Sequence, residues 1–175
     1  MASLRTVVVS GAPGTGKTTV ATAVAGRLRL PLLSLDTVKE ALADVLGTGD
    51  GAWSDALGDA AAEVLFRLAA EFPAVVVEGW WRRERRERAQ REFAGCLELF
   101  CRCSPPLAEQ RMRERHDAGR HPIHRDVIDP TVLLEAEALA GSVEPLGVGA
   151  YLVEVDTSGA VDWDALAEEV RAALS

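Results

Sequence analysis

The sequence predicts an α/β fold: a parallel sheet of five strands with helices on both faces, in one domain over residues 1–175. Three observations carry this. Short apolar runs rich in β-branched residues recur along the chain, segments of helical periodicity separate them, and a glycine-rich stretch joins the first run to the first helix.

Thr6 to Val9 has no polar alternation, so it reads as a strand buried on both faces. A helix follows from Lys17 to Leu28, with Val20, Val24 and Leu28 on one side and Pro31 ending the segment. Leu32 to Leu35 is the second strand, stopped by Asp36, and a helix then runs through Lys39, Leu42 and Leu46. Gly47 to Gly51 is a loop. The helix from Ser54 to Phe72 has Leu57, Ala61, Val64, Leu65 and Leu68 as its expected buried stripe. Ala74 to Val77 is the third strand. Between Arg82 and Phe93, six arginines (82, 83, 85, 86, 88 and 91) alternate with Glu84, Glu87 and Glu92, which predicts a solvated helix laced by i,i+4 pairs.

Leu97 to Cys103 is the fourth strand. Pro105 and Pro106 open a helix at its first turn, and that helix carries Arg111, Arg113 and Arg115. Asp117 to Asp129, with its glycine, proline and histidines, reads as a loop or flap. Thr131 to Ala140 reads as helix and Tyr151 to Val155 as the fifth strand. Asp162 caps a last helix that buries Leu166, Val170 and Leu174.

Composition limits the function. The net charge of −8 argues against nucleic acid as the main partner, because that affinity rests on Lys and Arg neutralising phosphates. Cys96, Cys101 and Cys103 match no zinc framework and read as free thiols of a reducing, cytoplasmic compartment. No apolar stretch reaches membrane-spanning length, so no membrane partner is expected. His121 and His124 flank Pro122 without the further ligands a metal site needs, and read as contacts from the flap.

The specific motif is Gly11-Ala12-Pro13-Gly14-Thr15-Gly16-Lys17-Thr18, followed by Thr19, which matches G-x-x-x-x-G-K-[ST] in full. Its glycines let backbone N–H groups turn inward as a nest for phosphate oxygens, and the helix behind adds the positive end of its dipole. Lys17 is expected on the β- and γ-phosphates of ATP or GTP, and Thr18 on Mg²⁺.

With this loop in place the chain resembles P-loop kinases of the nucleoside-monophosphate-kinase type, and more narrowly small AAA-type kinases, zeta toxin, chloramphenicol phosphotransferase and polynucleotide kinase. Ser34 to Lys39 is similar to their Asp-x-x-Arg/Lys element. Val75 to Gly79 is similar to the strand end that lines the acceptor site, Arg111 to Arg120 to the arginine-bearing lid, and Val155 to Ser158 to the turn beside adenine. The resemblance implies a three-layer sandwich with sheet order 2-3-1-4-5 and a small helical lid, placed at residues 111–126. One departure stands out: the third strand ends in Glu78, where GTPase and motor branches carry Asp.

The expected roles follow. Asp36 is either the helix N-cap or the base that accepts the proton of the attacking hydroxyl. Lys39, one turn on, holds the acceptor, pairs with Asp36 or is solvated. Glu78 binds the acceptor or a water on Mg²⁺, and Gly79 lets a ligand approach the backbone. Trp53, Trp80 and Trp81 are candidates for the acceptor pocket, with core packing the alternative for each. Arg111, Arg115 and Arg120 are candidates to neutralise the transferring phosphoryl group. The function expected is ATP-dependent phosphoryl transfer to a hydroxyl of a small molecule such as an antibiotic, sugar or nucleoside. The alternatives are a slow ATP-hydrolysing regulator and a toxin-like sugar-nucleotide kinase.

Overall fold

The computed structural model describes residues 6–81, 83–124, 144–149 and 151–175. The chain runs β1 (Thr6–Ser10), α1 (Lys17–Leu28), β2 (Leu32–Ser34), α2 (Leu35–Leu46), α3 (Gly51–Glu71), β3 (Val75–Glu78), α4 (Arg83–Glu92), β4 (Leu97–Arg102), α5 (Pro105–Asp117), β5 (Tyr151–Asp156) and α6 (Trp163–Ala173). The five strands form one sheet in the order β2-β3-β1-β4-β5, and every pair is parallel. The expected helix over Thr131 to Ala140 and the end of the lid lie outside the described residues.

Parallel strands are covered on both faces, which explains the uninterrupted valines. Val8, Val75 and Val77 point into a core shared with Ala61, Leu65, Phe66 and Ala69 of α3. Val7, Val9 and Val76 point the other way, onto Val20 and Val24 of α1 and Leu166 and Val170 of α6. Alternate valines of one strand thus feed two apolar layers, and the polar residues stand at the strand ends, as Thr6, Ser10 and Glu78.

Three expectations about elements change. The buried stripe of α3 is Leu57, Ala61, Ala62, Leu65, Phe66 and Ala69, while Val64 and Leu68 stay 36% and 40% exposed. The helix has two apolar sides, and Val64 and Leu68 lie on the one left partly exposed. Helix α2 begins at Leu35, so β2 is a residue shorter than expected.

The third change is in α4, which is a strut rather than a solvated helix. Its one internal pair shown is Arg88 with Glu92. Arg85 crosses to Asp59 and to the Asp55 carbonyl of α3. Arg88 reaches Glu63 and lies over the Phe66 ring. Arg86 and Gln90 hold carbonyls of Glu144, Pro145 and Leu146. From the sheet, buried Glu98 accepts from Ser10 Oγ and from the backbone N–H of Leu146 and Gly147. Residues 144–149 are thereby fixed against the start of the phosphate loop.

Candidate active site

Parallel strands deliver their carboxyl ends to one edge of the sheet, and ligands bind there where the strand order reverses, here about β1. Each element in turn brings a polar group to that edge.

The loop after β1 holds Gly11, Gly14 and Gly16 at φ of +142°, +79° and +80°, a region that disfavours a side chain. Space forbids one too. A Cβ on Gly11 would lie 2.4 Å from the Cys101 carbonyl, and on Gly14 2.3 Å from that of Ala108. Pro13 and Thr19 lie within this loop and the first turn of α1. Lys17 opens α1, and its Nζ donates to the Ala12 carbonyl at 2.8 Å. Thr15 Oγ1 donates to the same carbonyl at 2.7 Å. Burial pushes the Lys17 ammonium below its ordinary value, against the pull of Glu78 and Asp36.

Glu78 ends β3 and is 3% exposed. Its carboxylate accepts from Ser34 Oγ at 2.8 Å and from Thr18 Oγ1 at 3.4 Å. It is therefore aimed at the phosphate loop. Thr18, Glu78 and Ser34 form a set of hard oxygen donors of the kind Mg²⁺ takes. Gly79 leaves room for the protein rather than a ligand: a Cβ there would meet Leu35 and Trp81 at 3.2 Å.

Asp36 sits in the first turn of α2, whose N-cap position is Ser34, so Asp36 is not the cap. Its carboxylate pairs with Arg120 at 3.2 Å. Burial raises the Asp36 pKa, but His124, Arg120, Lys17 and Arg115 together outweigh it and hold the carboxyl below its ordinary value. Asp36, Glu40 and Asp44 recur every four residues on one side of α2. Segment 120–124 lies along them: Arg120 on Asp36, His124 Nε2 2.7 Å from Glu40, and His121 Nε2 3.2 Å from Asp44. The two histidines seen as flap contacts are thus rungs of a ladder that closes this segment onto α2.

The three candidate arginines part company. Arg111 donates to the Thr157 carbonyl at 2.7 Å, to Thr157 Oγ1 at 3.1 Å and to the Gly14 carbonyl at 3.4 Å. It lies on the side of the loop facing the turn after β5. Arg115, one turn on, acts electrostatically on both Lys17 and Asp36, with its Nε and Nη2 buried. Arg120 engages Asp36. The three arginines therefore span the site from the β5 turn to the α2 carboxylate.

Other candidates lie apart. Lys39 donates to Ser54 Oγ at 2.8 Å, and Ser54 donates to the Ile123 carbonyl at 2.9 Å, so Lys39 ties α2 to α3 and to segment 120–124. Trp81 is 6% exposed and stacks on Phe66 with centroids 5.6 Å apart, with Phe93 at its edge. Its large apolar ring packs in the core, the alternative that the sequence offered for it. Trp53 caps the loop before α3, its Nε1 bonded to the Gly47 carbonyl. Trp80 is half-buried in the turn after β3. Ser34 and Thr157 lie in segments that the resemblance marked, but neither was assigned a role of its own, and Glu40 lay outside any motif; their hydrogen-bond partners are what mark them.

Fold and site together define a P-loop kinase of the nucleoside-monophosphate-kinase-like type, built to bind a nucleotide. The chain belongs to the AAA domain family AAA_33, whose model matches residues 7–131. Among solved structures, a protein of Chloroflexus aurantiacus J-10-fl described as a "putative kinase" is 33% identical, with 97% of this chain and 98% of that one covered and a TM-score of 0.87. Shikimate kinase from Acinetobacter baumannii, in complex with shikimate, shares the fold at 16% identity, 95% and 90% coverage and a TM-score of 0.62. A gluconokinase from Sinorhizobium meliloti 1021 does so at 20% identity, 99% and 93% coverage and a TM-score of 0.60. A sequence search of curated proteins finds no match.

Proposed function

We propose that the chain, acting as a single domain, transfers the γ-phosphoryl group of ATP to a hydroxyl of a small molecule, an antibiotic, sugar or nucleoside. The observation that carries this is the convergence of Lys17, Asp36, Arg115 and Arg120 beside the phosphate loop. A hydrolytic switch needs a residue to orient water. An arginine and a carboxylate serve water as well as an acceptor hydroxyl, so dependence of turnover on an acceptor is what separates the two.

Mg²⁺, when bound, neutralises charge between the β- and γ-phosphates, and Thr18 with Glu78 is the donor set that fits it. Lys17 leaves the Ala12 carbonyl for the phosphate oxygens. The acceptor takes the place of Arg120 beside Asp36, and its hydroxyl donates to that carboxylate. As the new P–O bond forms, the O–H proton passes to Asp36. The bond between γ-phosphorus and the bridging oxygen breaks, and ADP leaves. Arg115 and the released Arg120 stabilise charge on the equatorial oxygens. Asp36 is ionised at neutral pH, as the proton acceptor must be, and displacing Arg120 removes one of the charges that hold its pKa down and makes it the stronger base.

A net charge of −8 favours a small acceptor over a nucleic-acid end. The test is ADP release measured across a panel of hydroxylated antibiotics, sugars and nucleosides. The expected result is turnover that depends on one class of acceptor. Equal ADP release with and without every compound contradicts the proposal.

A further inference from the structure

Thr157 follows β5, is 6% exposed, and ties three elements together. Its N–H donates to the Arg102 carbonyl at the end of β4, at 2.9 Å. Its hydroxyl donates to the Thr15 carbonyl of the phosphate loop at 2.9 Å and accepts from Arg111 of α5 at 3.1 Å. Its side chain packs on Gly16, where a Cβ would lie 3.4 Å away. Arg111 completes the arrangement by holding the carbonyls of Thr157 and Gly14.

The consequence lies in peptide geometry. In a trans peptide the C=O and the following N–H point in opposite directions. A Thr15 carbonyl held outward on Thr157 Oγ1 turns the Gly16 N–H to the other side, into the concave face of the loop. Gly16, at φ +80°, has no side chain to resist the reverse orientation. An external bond has to choose between the two.

We propose that Thr157, braced by Arg111, is a positioning residue for the nucleotide phosphates: it aims the Gly16 N–H at them. Arg111 then serves the shape of the phosphate loop, and phosphoryl-transfer charge is left to Arg115 and Arg120. The inference rests on phosphate binding by the loop, not on which acceptor is phosphorylated.

The test is the affinity of Mg·ATP and Mg·ADP for Thr157→Val and Thr157→Ser, with amide exchange at Gly16 in the ADP complex. Valine keeps the shape and removes the hydroxyl, and serine keeps the hydroxyl. The valine variant is expected to bind both nucleotides about 5- to 10-fold more weakly, the worth of one buried neutral hydrogen bond, and to lose protection at Gly16. The serine variant is expected to behave as wild type. Arg111→Met should weaken both nucleotides by a similar factor, and it decides the matter if the valine variant does not fold. The double variant should lose less than the product of the two single losses, because both changes loosen one unit. Wild-type ADP affinity in Thr157→Val, or in Arg111→Met if only that variant folds, overturns the inference. So does a serine variant as weak as valine, or Gly16 protection that survives the loss of the hydroxyl. Intact ADP binding by wild type without acceptor-dependent transfer contradicts the proposed function alone.

Discussion

At the scale of single residues, Asp36 carries the chemistry proposed here. The sequence left two roles for it, cap or base, because any Asp between a strand and a helix looks the same. The structure removes the first by placing Ser34 at the N-cap. Asp36→Asn keeps the shape and loses the proton acceptor. ATP affinity and melting temperature are expected to stay close to wild type, while acceptor-dependent turnover falls about 10²–10⁴-fold. An Asn variant with undiminished turnover sends the proton elsewhere. Glu78 is then the next residue to change, although its bonds to Ser34 and Thr18 already commit it to the phosphate loop.

At the scale of elements, the strands and the phosphate loop were legible because their signals are local. Buried parallel strands need runs of valine, and the loop needs glycine where φ is positive. The roles of the charged residues were not legible, because charge says nothing about direction. Six arginines around α4 suggest a solvated face, yet Arg85, Arg86 and Arg88 brace α3 and residues 144–149. The ladder on α2 is the same case: Asp36, Glu40 and Asp44 share a side by period, but their partners lie some eighty residues away. The ladder also predicts a pH dependence. Burial lowers the His124 pKa below its ordinary value of 6.5, outweighing the opposing pull of Asp36 and Glu40. The unfolded chain then binds a proton that the folded chain refuses. Stability is full above pH 6.5 and falls as pH drops toward the lower folded value. Melting temperature measured from pH 7.5 down to pH 5 should fall more steeply for wild type than for His124→Gln. Parallel curves would remove His124 from the account.

At the scale of the whole molecule, the sheet order 2-3-1-4-5 gathers groups from the ends of β1, β2, β3 and β5 at one edge, with α5 and segment 118–124 above them. Among the described residues no helix is long and apolar enough to cross a membrane. The net charge of −8, with three of the α4 arginines engaged by neighbouring elements of the chain, leaves little for a polyanion to grip. Single- and double-stranded oligonucleotides at physiological salt are expected to show no submicromolar binding. Tight binding with a steep salt slope would redirect the acceptor assignment to polynucleotide ends.

The central claim is transfer rather than hydrolysis, and the fate of the γ-phosphate decides it. ATP labelled in that group is incubated with the acceptor found by the ADP-release panel, using wild type and Lys17→Ala. The account predicts label on the acceptor, one for each ADP formed, and none with the Lys17 variant. Label released only as inorganic phosphate, at a rate indifferent to the acceptor, would contradict it.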